Sequence, residues 1–379
     1  MHKLEFQLTQ HTPIIHFQSE YEGATLRASE VKPKLDRYLL RELKKEDLNP
    51  NWFISQEKGA LDYKLRFTLP EGESVQTYLP LSRLNQEKAN KLKNDLRNKK
   101  ELGEVKILPI TPYFANEEWL NKREGQPRLA IQVGRVRGEI YTKHPKLREA
   151  IETHLEAFFL LHNFGARQTK GFGSFTLAYL DGMPLSSLRK NVADKMLKLE
   201  VVDCLVSKAN VPYQMEQIAK FHNKIKTGQR EQYSEIRIYS HEQSLEWEKP
   251  IERKLVGLGT EPDTKSYDKR YIRALLGLHG HFEFPQQNKR VTVSHPEIKR
   301  FASPITYKPI KDVVYLILSE VPKELFGAKF AFAYKPQGGE ELSEPVYTPT
   351  KDELGGVKDF LGDFLDFVED RDLRLVKDL

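Results

Sequence analysis

The chain has 379 residues, of which 39% are hydrophobic and 30% are charged, and its formal net charge at pH 7 is +6. This composition is typical of a folded, soluble protein and excludes a chain that is disordered throughout. The single cysteine, Cys204, excludes an internal disulfide and a zinc site built from cysteines. No apolar run approaches the roughly 20 residues of a membrane-spanning helix, and the N-terminal residues lack the apolar stretch of a secretory signal, so we expect a cytoplasmic protein without a membrane partner.

The N-terminal segment predicts a strand followed by a helix. Residues 3–9 alternate polar and apolar side chains, which is the period of a half-buried strand. A helix is predicted to run from Glu30 to Leu43, with Ser29 as its N-cap. Pro33 is tolerated only in the first turn of such a helix.

The next part of the chain predicts further strands and one strong helix. Strands are predicted at residues 61–69, 105–108 and 128–136, and residues 85–100 have the composition of an exposed helix or an insertion. Pro145 opens an amphipathic helix, which is followed by a glycine-rich segment and a strand at 175–180. The apolar stripe of this helix consists of Leu147, Ile151, Leu155, Phe158 and Phe159.

This order of elements suits a ferredoxin-like sheet with two helices packed on one face. The turn-rich residues 181–187 mark a boundary, so we predict a first domain over residues 1–183 and a second, more helical domain over 184–379. The second half is predicted to contain helices at 211–226, 266–278 and 352–368 and strands at 313–318 and 329–334.

The glycine-rich segment 165–174 combines three glycines with two cations. Glycines permit positive φ angles and a close approach of the backbone, while Arg167 and Lys170 are able to pair with phosphates. Phe172 either stacks on an unpaired base or fills the core below the loop. The alternative for the whole segment is a helix C-cap at Gly165 followed by a tight turn.

Three segments carry a resemblance to a known family. A helix that ends in Gly-Ala-Arg-Gln-Thr-Lys-Gly-Phe-Gly-Ser and enters a strand resembles the glycine-rich loop of the RAMP superfamily, the RNA-binding proteins of CRISPR effector complexes. Thr12-Pro13, Gly23 and residues 26–32 resemble the N-terminal segment of that family. Residues 300–309 resemble an Arg-x-Ala-Ser-Pro strand of the subunit that caps the 3′-end side of Cmr-type (III-B) complexes, although residues 31–37 depart from the tryptophan-rich helix start of that subunit.

The resemblance implies an α+β fold of two tandem ferredoxin-like (RRM-related) domains with helical insertions. It also implies a non-catalytic subunit of a type III effector that needs no cofactor or metal. Its expected partners are guide RNA (crRNA), target RNA near the 3′ end and other RAMP subunits.

The predicted RNA contacts come from the loop and from clustered cations. Cations that flank the start of a helix lie where an N-terminus favours phosphate, and arginines two apart on a strand point the same way. For each of these cations an ordinary solvated surface is the alternative. The predicted RNA-binding residues are Arg27, Lys32, Lys34, Arg37, Arg135, Arg137, Gly165, Arg167, Lys170, Gly171, Phe172, Gly173, Arg270, Arg273 and Arg300.

Catalysis is the alternative function. Some RAMP relatives cleave guide RNA without a metal through a histidine general base, for which His154 and His162 are the nearest candidates. In those relatives the glycine-rich loop typically lies near the C-terminus, whereas about 200 residues follow it here. His279-Gly280-His281 lacks the cysteine or His-Glu-x-x-His partners of a metal site, so no catalytic or metal-binding residue is predicted.

Charge is unevenly distributed along the chain. Residues 121–174 hold ten Lys or Arg against five Glu, and residues 350–379 hold five basic against nine acidic residues. Such segregation indicates a basic surface for a polyanion and an acidic end that is able to dock on a partner.

Overall fold

The structure is a computed structural model of the whole chain. The residues that it describes are 1–16, 26–80, 90–91, 94, 105–110, 129–185, 200–202, 210–228, 232–259, 268–371 and 375–376. The predicted insertion at 85–100 lies almost entirely outside these ranges, and so does Gly23.

Helices and strands alternate along the described residues, which confirms a mixed α+β protein. The α-helices are α1 (Ala28–Glu42), α2 (Pro145–Leu161), α3 (Val211–Lys226), α4 (Glu235–Glu242), α5 (Lys249–Leu255) and α6 (Phe360–Asp370). The strands are β1 (His2–Gln10), β2 (Phe53–Ser55), β3 (Ala60–Leu61), β4 (Tyr63–Thr68), β5 (Val75–Pro80), β6 (Val105–Leu108), β7 (Ala130–Val133), β8 (Arg135–Thr142), β9 (Phe175–Leu180), β10 (Met183–Pro184), β11 (Glu200–Val202), β12 (Leu245–Trp247), β13 (Asp268–Arg270), β14 (His281–Phe284), β15 (Lys289–Ser294), β16 (Ile305–Ile310), β17 (Val313–Leu318), β18 (Lys329–Tyr334), β19 (Leu342–Tyr347) and β20 (Leu375–Val376). None of the described helices is long and apolar enough to cross a bilayer.

The chain forms two compact units. Unit 1 comprises residues 1–218, 306–317 and 376–379, and unit 2 comprises residues 219–305 and 318–375. A short stretch from late in the chain therefore folds as part of the first unit. The domain boundary predicted after residue 183 stays a prediction.

Unit 1 is built on an antiparallel sheet with the strand order β10-β9-β1-β8-β4. Its main strands and helices follow one another as β1, α1, β4, β8, α2 and β9. The predicted strand at 128–136 is two strands, β7 and β8, which Gly134 separates.

The core of unit 1 lies between this sheet and the two helices. The alternation of β1 turns Leu4, Phe6 and Leu8 to one side, where they join one hydrophobic cluster with the apolar stripes of α1 and α2. Burying each such side chain stabilises the fold by about 1.5–3 kcal/mol, so the stripe of α2, which contains Phe158 and Phe159, fixes that helix on the sheet.

Phe6 requires a glycine on the neighbouring strand. It pairs with Gly138 of β8, and its ring occupies the space that a side chain would take there. A Cβ atom on Gly138 would lie 2.1 Å from Cζ of Phe6. The Phe6 ring also contacts Phe67 and Phe159, at 6.0 and 5.9 Å between ring centroids, so it has little freedom to move away.

Smaller sheets complete unit 1. β5 pairs in parallel with β6 and antiparallel with β7, and β2 pairs with β3. Strand β17, from the late stretch, pairs antiparallel with β11 and neighbours β16. The late stretch thereby supplies a strand, β16, that reaches the glycine-rich segment.

Unit 2 contains a mixed sheet with the order β12-β13-β19-β18-β15-β14. The pairs β12–β13 and β13–β19 are parallel, and the pairs β19–β18, β18–β15 and β15–β14 are antiparallel. Tyr271 is fully buried against this sheet. Its ring makes edge-to-face contacts with Phe330 and Phe332, at 5.4 and 5.1 Å between ring centroids.

Three further predicted elements were wrong in type or extent. The helix predicted at 266–278 is strand β13 followed by a single-turn 3₁₀ helix at Ile272–Leu276, because its residues are buried on every side and Gly277, at φ +109°, ends the turn. The helix predicted at 352–368 begins only at Phe360, since Gly355 and Gly356 adopt positive φ angles.

The start of α1 also differs from the prediction. The N-cap is Arg27 rather than Ser29, and Pro33 therefore lies in the second turn. The Pro33 side chain is exposed, so the ring does not disturb the core.

Gly138→Ala tests the close packing at Phe6. We expect it to lower the free energy of unfolding by about 1–3 kcal/mol, since the new methyl group has to displace a buried ring. Urea denaturation measures the change. Gly280→Ala is the control, because a Cβ there meets no atom within 4 Å, and it should stay within about 0.5 kcal/mol of the parent. Equal stability of the two variants would contradict the packing described.

Candidate nucleic-acid interface

The glycine-rich segment joins α2 to β9, as predicted, and its backbone depends on its glycines. Gly165, Gly171 and Gly173 have φ angles of +82°, +85° and +64°. A Cβ on Gly173 would lie 2.0 Å from the carbonyl oxygen of Phe164, so only glycine fits there. Arg167, at φ +58°, holds the same left-handed conformation without being a glycine.

Thr12 fixes the second half of the segment. Its hydroxyl donates to the Gly171 carbonyl at 2.6 Å and accepts from the Ser174 amide at 3.0 Å. The Gly173 amide donates to the Pro13 carbonyl at 2.9 Å. The N-terminal Thr-Pro motif and the glycine-rich segment, which are 150 residues apart in sequence, are thus one structural feature.

Residues in the first turns of α1 fix the first half of the glycine-rich segment. The Glu30 carboxylate accepts from the Gly165 amide at 2.6 Å. Lys34 Nζ donates to the Gln168 side-chain oxygen at 2.5 Å and to the Asn163 carbonyl at 3.0 Å. Through these two hydrogen bonds Lys34 holds the loop in place. Burial lowers the pKa of Lys34.

Lys308, on β16, is a residue that the sequence analysis did not single out. Its Nζ donates to the carbonyl oxygens of Phe159, His162 and Phe175 at 2.8, 2.8 and 2.9 Å. An α-helix leaves its last four carbonyls without partners, and an ammonium has three protons to offer. Lys308 thus caps the end of α2 and binds it to β9, while burial lowers its pKa. It lies within segment 300–309, so the Arg-x-Ala-Ser-Pro resemblance was the available signal.

Within the loop the predicted RNA contacts differ in access. Phe172 is fully buried and fills the core below the loop, the second of its two alternatives. Arg167 is largely buried, and burial lowers its pKa to about 10. The Lys170 amide donates to the Arg167 carbonyl at 2.8 Å, which closes a turn with Gln168 and Thr169 at its centre.

The predicted cations of α1 are also of two kinds. Lys32 Nζ lies 2.9 Å from Asp36 Oδ2 and 4.1 Å from the Tyr63 ring centroid, and it donates to the Leu61 carbonyl. Arg27 is half-buried at the N-cap, whereas Arg37 is exposed.

Arg135 and Arg137 lie on β8 and share one side of it, as their spacing predicts, and that side faces away from α1 and α2. Their expected place at a strand edge was wrong, because β8 lies between β1 and β4. The register places Arg66 of β4 opposite Glu139 and Lys64 opposite Tyr141, so both share this face. Lys3 of β1 lies opposite Tyr141 on the other side. We call the five cations Lys3, Lys64, Arg66, Arg135 and Arg137 the basic sheet face; all are exposed. The pairing of β4 with β8 was needed to find Lys64 and Arg66.

Two carboxylates lie among these cations. Glu5 and Glu139 both pair with Lys3, whose hydrogen bonds lower the pKa of each carboxyl. Arg137 Nη2 lies 3.2 Å from Glu5 Oε1. These seven side chains carry a net charge of +3. A third carboxylate, that of Glu73, accepts from the Gly134 and Arg135 amides beside them. The surplus of positive charge that remains suits a polyanion.

The predicted cations of unit 2 do not form one surface. Arg273 is only 9% exposed and its guanidinium pairs with Glu248 and Glu252 inside the unit. Arg270 pairs with Glu353, at 3.0 Å from Nε to Oε1, whereas Arg300 is exposed.

The histidines next to the loop are neutral and already bonded. His162 Nδ1 donates to the Phe158 carbonyl at 2.8 Å, and burial lowers the pKa of His162 to about 4. His11 Nδ1 accepts from the Lys311 amide at 3.3 Å and its Nε2 contacts Thr176 Oγ1 at 2.8 Å. Burial, followed by the charges of Lys308 and Lys311, lowers the pKa of His11 to about 3. Such groups are weak general bases at neutral pH. Within the described ranges no three His, Cys, Asp or Glu side chains form a metal-binding group.

Lys308→Met tests the cap on α2. Methionine keeps an unbranched side chain of nearly the same length but removes the donor to three carbonyls, so we expect the free energy of unfolding to fall by about 3 kcal/mol or more. Urea denaturation gives the value, and Lys44→Met, at an exposed lysine, is the control. Stability equal to that of the control would show that the ammonium does not hold the helix end.

Acid should destabilise the protein through His162. The unfolded histidine protonates near its ordinary pKa of 6.5, but the folded one only near 4. The stabilisation is therefore complete above pH 6.5 and falls by about 3 kcal/mol as the pH drops to 4. Urea denaturation at a series of pH values should show a shallower decline for His162→Asn than for the parent. The exposed His2→Asn should follow the parent curve; a parent-like curve for His162→Asn would refute this assignment.

Comparison with solved structures finds similar chains at low identity. The crystal structure of apo Cmr1 from Pyrococcus furiosus is 13% identical with a TM-score of 0.43, over 99% of this chain and 98% of that chain. A cryo-EM structure of the type III-B Cmr-beta bound to cognate target RNA contains a chain that is 15% identical with a TM-score of 0.30, over 48% of this chain and 61% of that chain. The match to this second relative spans less than two thirds of its length. A search of curated proteins found no match.

Family models cover both halves of the chain. The model described as the Cmr1 N-terminal domain matches residues 1–229, and the model described as the Cmr1 C-terminal domain matches residues 231–376. These matches confirm the predicted resemblance to the RAMP proteins of Cmr-type complexes. The chain belongs to the Cmr1 family.

Proposed function

We propose that this protein is a non-catalytic, RNA-binding subunit of a type III-B (Cmr-type) CRISPR effector complex that acts in the cytoplasm. Its partners in this proposal are guide RNA, target RNA near the 3′ end and the neighbouring RAMP subunits. Membership of the Cmr1 family supports the assignment to this complex, and the basic sheet face supports the binding of RNA.

We also propose a ferredoxin-like fold for unit 1. A ferredoxin-like domain has the order β-α-β-β-α-β along the chain, and β1, α1, β4, β8, α2 and β9 follow it. These strands are neighbours in the order β9-β1-β8-β4. Such a sheet has helices on one face and leaves the other for a ligand. For unit 2, whose sheet contains parallel pairs, a ferredoxin-like fold stays a prediction.

The basic sheet face is the observation that carries the RNA proposal. Its arginines Arg135 and Arg137 lie about 7 Å apart along β8, and Arg66 extends the cationic surface onto β4. Arginine pairs with phosphate through two parallel hydrogen bonds, which holds a backbone without reading its sequence. A single strand of RNA that crosses the strands would meet these cations in turn.

The glycine-rich loop takes a second part in this proposal. Its hydrogen bonds to Thr12, Glu30 and Lys34 hold the turn at Arg167–Lys170 in one conformation. The amides of Lys170 and Gly171 already donate within this turn, to the carbonyls of Arg167 and Gln168. The turn therefore contributes charge to the proposed contact, because Arg167 and Lys170 are able to pair with phosphates. In this proposal the main role of the loop is structural, and its contact with RNA is secondary.

A non-catalytic role agrees with the chemistry next to the loop. His162 and His11 are engaged in hydrogen bonds, and burial lowers the pKa of each far below neutrality. His154, on α2, packs edge-to-face on Tyr38 at 6.2 Å. None of these arrangements favours an endoribonuclease.

Two double substitutions test the proposal. We expect Arg135→Ala with Arg137→Ala to weaken binding of single-stranded RNA by roughly tenfold or more and to reduce the salt slope by about 1.4, since each lost phosphate contact accounts for about 0.7. Arg167→Ala with Lys170→Ala should also weaken binding, without loss of fold. Fluorescence anisotropy at several salt concentrations measures both.

The matched control is Lys44→Ala with Lys58→Ala, which removes two exposed charges that belong neither to the basic sheet face nor to the glycine-rich loop. If the control weakens binding as much as the Arg135 and Arg137 pair, the effect is one of net charge alone and the sheet face is not the site. A parent-like affinity for the loop pair would limit the site to the sheet face.

A further inference from the structure

Unit 2 contains a stack of alternating aromatic rings and guanidinium groups. Arg237 Cζ lies 3.7 Å from the Tyr233 ring centroid and 4.8 Å from that of Trp247. Arg273 Cζ lies 5.4 Å from the Trp247 ring centroid and 4.4 Å from that of Phe282. Each step is within the distance at which a cation is attracted to an aromatic face.

The inner part of this stack is held by buried carboxylates. Arg273 pairs with Glu248 and Glu252, and Arg237 Nε lies 3.4 Å from Glu246 Oε1. All three carboxylates are buried. Breaking such a pair would leave an uncompensated buried charge, so the two guanidinium groups have fixed positions.

The outer end of the stack behaves differently. Trp247 and Phe282 are 6% and 9% exposed, whereas Tyr233 is 60% exposed. The Tyr233 ring therefore contributes little to the core, although Arg237 fixes its orientation from below. An aromatic ring that is ordered before a ligand arrives loses little conformational entropy on binding.

We infer that Tyr233 is a stacking platform for an unpaired RNA base. This inference rests on the proposed function, because it takes RNA to be the ligand. An exposed aromatic ring accepts any base on its free face, and a guanidinium next to the ring adds favourable charge for a nucleic acid.

The surroundings of Tyr233 favour RNA over an apolar protein segment. The half-buried Lys249 has its Nζ 5.0 Å from the Trp247 ring centroid. The Arg371 side chain, which is 43% exposed, pairs with Glu235 at 3.1 Å from Nε to Oε2, and Glu235 is two residues from Tyr233. An exposed cation near a stacking ring suits a base together with its phosphate.

Substitutions at Tyr233 test the platform in the full-length chain. With a short unstructured oligouridylate as probe, we expect Tyr233→Ala to weaken binding about tenfold, within the range measured for loss of one stacked base, and Tyr233→Phe to stay within about twofold of the parent. The salt slope should be unchanged for Tyr233→Ala, because no phosphate contact is lost. Tyr347→Ala, at a tyrosine of unit 2 that is 43% exposed, is the matched control and should leave the affinity unchanged.

A crosslinking experiment locates the contact directly. An oligouridylate that carries one 4-thiouridine, irradiated with the parent protein, should give a crosslink that mass spectrometry assigns to Tyr233. Circular dichroism of Tyr233→Ala checks that the fold is retained.

The possible failures are distinguishable. If the parent protein binds no RNA, the proposed function and this inference are both wrong. If the parent binds but Tyr233→Ala binds equally well, or Tyr347→Ala is weakened as much, only the platform is wrong. Unchanged RNA affinity together with loss of assembly with neighbouring subunits would assign Tyr233 to a protein contact and overturn the inference.

Discussion

The glycine-rich loop depends on polar groups that the end of α2 cannot satisfy by itself. A helix end that enters a tight loop inside a folded unit leaves carbonyls without donors, and a buried carbonyl without a partner costs on the order of 1–3 kcal/mol. Lys308 supplies three donors at once. Thr12 performs the same task for the return of the loop into β9. Residues from the beginning, middle and late parts of the chain therefore hold the loop of unit 1 in place together.

Because the polar groups around the loop have to be satisfied, the residues that hold the loop differ from those that are exposed to a ligand. Several residues whose sequence pattern indicates RNA binding are engaged inside unit 1, because Lys32 binds Asp36, Lys34 binds Gln168 and the Phe172 ring is buried. A group of exposed charges lies instead on the outer face of the sheet. A strand has two faces, and the helices take one of them, so the face that remains exposed can be charged without desolvation. In unit 2 the same separation recurs, since Arg273 is buried between carboxylates and Tyr233 is exposed.

The local patterns in the sequence were sufficient for much of unit 1. The alternation of β1, the apolar stripe of α2 and the glycines of the loop each act over a few residues, and the structure confirms all three. The resemblance of the loop to RAMP proteins is confirmed by the family match. In unit 2, prediction failed where burial is uniform. Residues 271–276 are all buried, so no polar face remains to distinguish a helix from a strand and a 3₁₀ turn.

The α+β class, the positions of α2 and the glycine-rich loop, and the fact that Arg135 and Arg137 share one side of β8 were predictable from the sequence. These follow from spacing, because residues two apart on a strand share a face and residues three or four apart on a helix share a stripe. The fold was needed to show that Lys308 caps α2, that Lys64 and Arg66 join the basic sheet face, and that Arg237 lies against both Tyr233 and Trp247. Each of these depends on contacts between distant segments, which strand register and packing set and which local spacing does not encode.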